Sequence, residues 1–270
     1  MLSPTAKATV SKVDVREGLT STVKEEVAVE VPANIYLDKK HVVTLLSSPS
    51  MLGELAVGYL FSKGVLDDRG MISEVLVGGT DIYVKLKPGV KVDLEPGQLG
   101  RVVTTACGSL VDYLESIAPI ETKISTEYSV SAEDVVRMVA EFNSSSKIFR
   151  ATGGTHSAAI FEEGKMVTFS EDVGRHNAVD KVVGASVLGD VKFKRSVLVT
   201  SGRQTGDIVA KAARMGIPFS VSISAPIQSG TELAERTGLT LICFARGRRF
   251  NIYTSPERVK LPSGSQTNRI

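Results

Sequence analysis

The residues best suited to chemistry fall in one stretch, Thr152 to Lys181, which reads TGGTHSAAIFEEGKMVTFSEDVGRHNAVDK. Two of the three histidines, His156 and His176, lie there, each inside a cluster of small and polar residues. Such residues could act as general bases, as metal ligands or as hydrogen-bonded core groups, and spacing alone leaves all three open. The two cysteines differ in kind. Cys243 sits in Leu241-Ile242-Cys243-Phe244 and reads as a small buried hydrophobe. Cys107 has Thr105, Ala106, Gly108 and Ser109 as neighbours and precedes an expected helix start, where a thiol becomes more acidic and its thiolate more available; an inert buried thiol is the alternative. His41 lies beside a valine pair and reads as structural. Cys107 with two histidines could make a three-ligand zinc site. The chain carries neither an H-x-E with P-C-x-x-C nor an H-E-x-x-H, however, so zinc ranks low and no metal ligand is assigned.

The elements that must position these residues follow from pattern. Thr152 to His156 is a turn opening a strand, and Glu162-Glu163-Gly164-Lys165 turns a hairpin between Ile160-Phe161 and Met166-Val167. Glu171 to Asn177 leads into a helix carrying Val179, Val182, Val183 and Val187. Strands and helices then alternate. Ser196–Thr200 is a strand. A helix follows with an Asp207–Lys211 pair at i,i+4, then a strand over 217–223, a helix with a Glu232–Arg236 pair, a strand over 239–244 and a last strand over 250–253. Such alternation with short loops means parallel strands and right-handed crossovers.

In an open parallel sheet, ligands bind beyond the carboxyl ends of the strands. Three turns follow strand ends here: Ser201-Gly202-Arg203, Ser224-Ala225-Pro226 and Ala245-Arg246-Gly247-Arg248-Arg249. Small residues let the backbone approach a ligand, arginines grip phosphate with a planar fork, and helix N-termini add free N–H groups. The pattern favours a phosphorylated or nucleotide-like ligand. Ordinary crossover loops with solvated arginines are the alternative.

The first half reads as α+β. Residues 1–20 are polar and ragged at the start. A strand runs from Val23 to Val31 and turns at Pro32-Ala33-Asn34; strands follow over 35–37 and 41–46. A helix starts after Ser47-Ser48-Pro49-Ser50 with a serine cap and ends at Gly64; a hairpin turns at Gly78-Gly79-Thr80. Residues 119–130 read as a linker, and Ser131 caps a helix that buries Val135, Met138, Val139 and Phe142.

The expected fold is α/β. A smaller α+β N-terminal domain with the cysteine loop spans 1–120, a larger α/β domain 121–255 and a polar, disordered tail 256–270. The chain has 270 residues, 42% hydrophobic and 23% charged, with a net charge of +2. These values suit a soluble globular protein and do not argue for a nucleic-acid partner. Low aromatic content and the lack of tryptophan weigh against stacked-base recognition. No apolar run is long enough to span a bilayer, the N-terminus lacks a signal-peptide core, and two distant cysteines do not suggest a disulfide scaffold. The expected location is the cytoplasm.

These same residues carry a resemblance. TGGTHSAAIF at 152–161, EDVGRHNAVDKVVG at 171–184, TSGRQTGDIVAKAARMGIPFSVSISAP at 200–226 and GLTLICFARGRRFNIYT at 238–254 resemble the formate dehydrogenase accessory sulfurtransferases of FdhD type. LGELAVGYLFSKGV at 52–65 and TTACG at 104–108 match more loosely. The resemblance implies a cytidine-deaminase-like C-terminal domain without the zinc chemistry, and a homodimer. It implies a protein that takes persulfide sulfur from a cysteine desulfurase. That sulfur then passes to the molybdenum or tungsten of a bis(molybdopterin guanine dinucleotide) cofactor destined for formate dehydrogenase. That cofactor is a bound substrate rather than a resident group, and GDP or GMP would mimic it. The persulfide-carrying cysteine falls on Cys107, and the cofactor-binding segment on Phe244, Ala245, Arg246, Gly247, Arg248 and Arg249. Ser201, Gly202 and Arg203 join it from the strand ends, with His156, Arg175 and His176 lining the cleft. One departure stands out. Many members carry C-x-x-C at the cysteine loop, whereas this chain has Cys107-Gly108-Ser109-Leu110, so any two-thiol relay is missing. A single thiolate can still accept and donate a sulfane sulfur. A non-covalent cofactor chaperone and a zinc hydrolase or deaminase are the rival readings.

Overall fold

The structure, a computed structural model, describes residues 2–92, 94, 101–103 and 123–261, with the backbone alone for 101–103. It opens with a correction. The polar start forms two ten-residue strands, β1 (Thr5–Asp14) and β2 (Leu19–Ala28), paired antiparallel from Thr5↔Ala28 to Asp14↔Leu19. Alternation, not polarity, was the informative signal: Ala6, Ala8 and Val10 share one face. β3 (Val31–Leu37) runs straight through Pro32-Ala33-Asn34, where a turn was expected. β4 (Lys40–Ser47) pairs with it antiparallel. On its other side β3 meets a strand only from Asn34 onward, so the N–H that Pro32 lacks is not missed there.

Helix α1 (Leu52–Ser62) has Met51 at its N-cap in a left-handed conformation with no side-chain cap, contrary to the expected serine. Ser48 serves elsewhere, as described below. The expected hairpin follows as β5 (Ile72–Gly78) and β6 (Asp81–Leu86), then β7 (Arg101–Val103). These build a five-stranded sheet in the order β5-β6-β3-β4-β7.

β8 (Val130–Ser131) leads into α2 (Ala132–Ser145), and the Ser131 hydroxyl accepts from the Asp134 N–H at 3.0 Å, the predicted cap. A short α3 (Lys147–Thr152) then ends at Gly153, whose φ of 66° is the left-handed conformation glycine supplies. β9 (His156–Glu162) and β10 (Lys165–Asp172) are the expected hairpin. After α4 (Arg175–Leu188) come β11 (Ser196–Thr200), α5 (Gly206–Arg214), β12 (Phe219–Ser222), α6 (Gln228–Thr237), β13 (Thr240–Arg246) and β14 (Arg249–Ile252). The six-stranded sheet runs β10-β9-β11-β12-β13-β14. Only β11, β12 and β13 are mutually parallel, as alternation predicted; the flanking hairpins make the sheet mixed. The expected tail is ordered as far as β15 (Val259–Lys260), parallel to β8, and Val259 is buried.

The two halves share a core. One apolar cluster runs from Ala33, Ile35 and Leu55 through Val182, Val183 and Val209 to Leu241 and Cys243. Its centre is the crossing of α1 with α4, where glycines permit the contact. A Cβ on Gly58 would lie 1.7 Å from the Asp180 carbonyl oxygen, and one on Gly184 1.9 Å from that of Glu54. No side chain fits at either point. A second cluster lies on the other sheet face, where Val135, Met138 and Phe142 of α2 cover Phe161, Val199 and Phe219. No helix among the described residues is long and apolar enough to cross a membrane.

Candidate functional site

The parallel strands β11, β12 and β13 end on one edge of the sheet. Antiparallel pairing brings the start of β9 and the end of β10 to the same edge, where His156 faces Asp172. The turns there are latched together. Gln204, fully buried, donates from Nε2 to Thr200 Oγ1 at 2.8 Å and accepts from the Ser220 hydroxyl at 2.7 Å. Ser222 donates to the Gly202 carbonyl at 2.7 Å, and the Phe244 N–H to the Ser224 carbonyl at 2.9 Å. The edge is therefore preorganised rather than a row of loose loops.

Beside it lies a cleft of about 560 Å³, lined on one side by Phe142, Phe149 and Ile223 and on the other by Thr155, His156 and Ser201. Ser201 Oγ lies 3.3 Å from His156 Nδ1 and accepts from the Ser157 N–H at 2.9 Å. Burial, then the neighbouring Arg175 and His176, pushes His156 below its ordinary value, so the ring is neutral at pH 7. Gly202 is buried because Arg175 lies across it; a Cβ there would meet the Arg175 side chain at 3.1 Å. The Arg175 Nε is enclosed and has no hydrogen-bond partner among the described residues. Arg203 is exposed at the same turn.

His176 Nε2 lies 2.5 Å from Asp207 Oδ2, so Asp207 does not make the expected i,i+4 pair. Lys211 turns instead to Asp180 of α4, at 2.5 Å, because that carboxylate is buried and needs a counter-charge. Burial opposes ionisation of Asp207, but the His176 hydrogen bond and charge, with the Thr205 hydroxyl and Lys211, outweigh it and hold the carboxyl well below the usual range. Asp207 was missed because pairing within one helix looked sufficient. Glu232 likewise leaves Arg236 and accepts from Gln228 Nε2 at 2.8 Å.

The C-terminal segment departs from its expected shape. β13 continues to Arg246 and bulges at Phe244 and Ala245. Phe244 is half-exposed with φ of 53°, a strained state for a bulky side chain, while Ala245 buries its methyl in the core and can offer a ligand only its backbone. Arg246 donates from Nε to the Ile223 carbonyl at 2.8 Å. Arg248 and Arg249 are exposed around Gly247, whose φ of 57° makes the tight turn. The structure thus gathers His156, Arg175, His176, Ser201, Gly202 and Arg203 in one place. It sets Phe244, Ala245, Arg246, Gly247, Arg248 and Arg249 at the end of β13, two strands along the same edge. Cys107 lies outside the described residues.

The rest of EDVGRHNAVDK is architecture. Glu171 caps α3, accepting from the Ile148 and Phe149 N–H groups at 2.9 and 2.7 Å. Asp172 accepts from the Ser48 and Gly174 N–H groups and pairs with Lys181, both side chains fully buried. Asn177 donates to the Leu46 carbonyl and Lys181 to that of Ser48. The Ser48 hydroxyl accepts from the Val173 N–H, which is why it caps no helix. Among the described residues, no group of three or more His, Cys, Asp and Glu could hold a metal ion.

The sequence profile of the FdhD/NarQ family matches residues 28–260. The chain belongs to this family. Among its relatives, a protein of Sulfolobus acidocaldarius named sulfur carrier protein FdhD is 33% identical, covering 94% of this chain and 98% of its own. One of Streptomyces coelicolor with the same name is 34% identical over 92% of this chain and 93% of its own. A crystal structure from Desulfotalea psychrophila, described as a formate dehydrogenase accessory protein, superposes with a TM-score of 0.79. It is 28% identical and covers 95% of this chain and all of its own. FdhD/NarQ members thus share both sequence and mixed α/β architecture with this chain over nearly its full length.

Proposed function

We propose that the protein is a sulfur carrier in formate dehydrogenase maturation, with Cys107 as the carrying residue. One observation bears most on the residue. The sequence has two cysteines, and Cys243 is fully buried, its thiol pushed up to about 12 by burial. It is neither exposed nor ionised, which leaves Cys107. In the first step the Cys107 thiolate attacks the outer sulfur of a cysteine desulfurase persulfide. The donor S–S bond breaks, a new one forms on Cys107, and the donor cysteine leaves as thiolate. In the second step the terminal sulfur passes to the molybdenum or tungsten of the bis(molybdopterin guanine dinucleotide) cofactor. That transfer returns a Cys107 thiolate and oxidises the metal by two electrons, so the acceptor is a reduced centre.

The cofactor's guanine and pyrophosphate groups bind along the strand-end edge, where Arg203, Arg246, Arg248 and Arg249 supply cations, with His156, Arg175 and His176 at the cleft. The enclosed Arg175 Nε, without a partner among the described residues, supports an anion there. The same reading takes the six-stranded half as a cytidine-deaminase-like domain without its zinc, places the protein in the cytoplasm, and makes it a homodimer that meets desulfurase and formate dehydrogenase in turn. The test is incubation with a cysteine desulfurase, cysteine and labelled sulfur, followed by mass analysis of the Cys107 peptide. A gain of one sulfur is expected. An unmodified Cys107 in a protein that still binds GDP overturns the carrier reading in favour of a non-covalent chaperone.

A further inference from the structure

Asp207 has no part in the sulfur-carrier mechanism above. It stands in the first turn of α5, beside His176 in the first turn of α4, with its Oδ2 2.5 Å from His176 Nε2. Its Oδ1 accepts from the Thr205 hydroxyl and, at 2.9 Å, from the Ile208 N–H. Burial opposes its ionisation, but the donors on both oxygens outweigh that, so Asp207 is a carboxylate at pH 7. A carboxylate only accepts. Nε2 therefore carries the hydrogen of this contact, and Nδ1 is the free nitrogen of the ring. Nδ1 has no hydrogen-bond partner among the described residues and, unlike the Arg175 Nε, is not enclosed. Counter-charge also singles out the pair. Asp172 and Asp180 nearby are each matched by a buried lysine, Lys181 and Lys211. Asp207 has only the imidazole, since no lysine or arginine forms an ion pair with it among the described residues. The remaining charged or titratable groups around the two imidazoles are Arg175 on α4, Arg203 after β11 and His156 itself on β9, which is neutral at pH 7.

We propose that Asp207 is a positioning residue for the nucleotide site: it fixes His176 so that a phosphate oxygen binds at Nδ1, and the ring takes up one proton as the phosphate binds. This rests on the nucleotide-binding reading above and adds to it a residue and a proton. The exchange balances. Solvent supplies the proton, Nδ1–H donates to the phosphate oxygen, and the imidazolium then lies between two anions, the ligand and Asp207. An anion at Nδ1 favours the protonated ring, so binding and protonation are linked. Asp207 makes the link obligatory. As a carboxylate it accepts from Nε2 with or without ligand, and leaves Nδ1 as the one nitrogen whose protonation changes. An asparagine in its place could donate its amide N–H to Nε2 instead. The neutral ring would then carry its hydrogen on Nδ1 and meet the phosphate with no proton taken up.

Calorimetric titration of the full chain with GDP-mannose from pH 6 to pH 8 tests this, because the pyrophosphate of that probe is a diester and does not itself titrate there. Wild-type affinity is expected to fall by at least about fivefold across the range, with proton uptake read from the dependence of the heat on the buffer. Asp207→Asn is expected to bind without this pH-dependence, and Asp207→Glu, which keeps the charge, to retain it. His176→Gln removes it as well and carries the test if the asparagine variant does not fold. His41→Gln, outside the cleft, leaves it as in the wild type. A wild-type protein that binds neither GDP-mannose nor GDP at any pH overturns the nucleotide reading and this inference with it. Binding that does not vary with pH overturns the proton link alone. A pH-dependence that survives Asp207→Asn or His176→Gln overturns its assignment to this pair.

Discussion

The buried ladder on α4 and the open rim at the strand ends are both made of charged side chains and behave oppositely. In the ladder, Asp172 meets Lys181 and Asp180 meets Lys211, all nearly or wholly out of water, with remaining hydrogen bonds satisfied by Ser48, Gly174 and Asn177. At the rim, Arg203, Arg248 and Arg249 stand in solvent. A buried pair costs desolvation that its mutual attraction roughly offsets, so its value lies in fixing one arrangement: here, the N-terminal half against the six-stranded half. An exposed arginine adds almost nothing to folding and stays free to meet an anion. Charged side chains thus divide by depth into those that hold the molecule together and those that stand in solvent at the strand ends.

The sharpest way to break this contrast is to remove one partner of the ladder. Lys181→Met leaves the Asp172 carboxylate buried without its counter-charge, and a loss of about 3–5 kcal/mol is expected in denaturant unfolding. A loss under about 1 kcal/mol would mean that the Ser48, Gly174 and Asn177 donors suffice. At the rim, the double change Arg203→Ala and Arg248→Ala should alter stability by no more than about 0.5 kcal/mol while lowering affinity for GDP by at least tenfold. Calorimetry checks both readouts on one sample. Unchanged affinity would return the arginines to the status of solvated loop residues.

How far the sequence reveals this division depends on which interactions are local. The Ser131 cap, the hairpin at Glu162–Lys165 and the parallel run of β11, β12 and β13 rest on near neighbours and short periods, and the structure has them all. Ion pairs are different. Asp207 and Lys211 satisfy the helical spacing, yet α5 lies so close to α4 that Asp180 and His176 take one each. The glycines that allow α1 to meet α4 give no helix-breaking signal that a reader could separate from an ordinary helical glycine. Glu171 and Asp172 read as part of a ligand site because the motif is polar; their partners, the N–H groups of Ile148 and Ser48, lie 23 and 124 residues away. Similarly, a polar N-terminal ribbon reads as disorder when judged by composition, although its strands pair over ten residues each. The meeting of these turns at the strand ends was legible, since topology fixes it; the side chain of Ala245 turning into the core was not, because a bulge reverses alternation.

The smallest expected effect separates His156 from Asp207 by their response to pH. His156 has a folded value pushed below its ordinary one, first by burial and then by Arg175. The unfolded chain therefore binds a proton more readily. Stability from this group is complete above the unfolded value of about 6.5 and declines as pH falls through that value toward the folded one. Asp207 also has a depressed folded value, so its contribution is complete above about 3.9 and is lost at lower pH. The two windows open at different pH, about 6.5 and about 3.9, and melting temperature measured from pH 7.5 down to pH 3 shows where each begins. His156→Gln should flatten the upper part of the profile and leave the lower part alone; Asp207→Asn should do the reverse. His41, the remaining histidine, sits on the five-stranded sheet with Thr44 3.0 Å from its Nε2, far along the chain from the cleft. Its replacement should leave the His156 step in place. An upper step that vanishes with His41 instead would show that burial beside Ser201 is not what depresses the cleft imidazole.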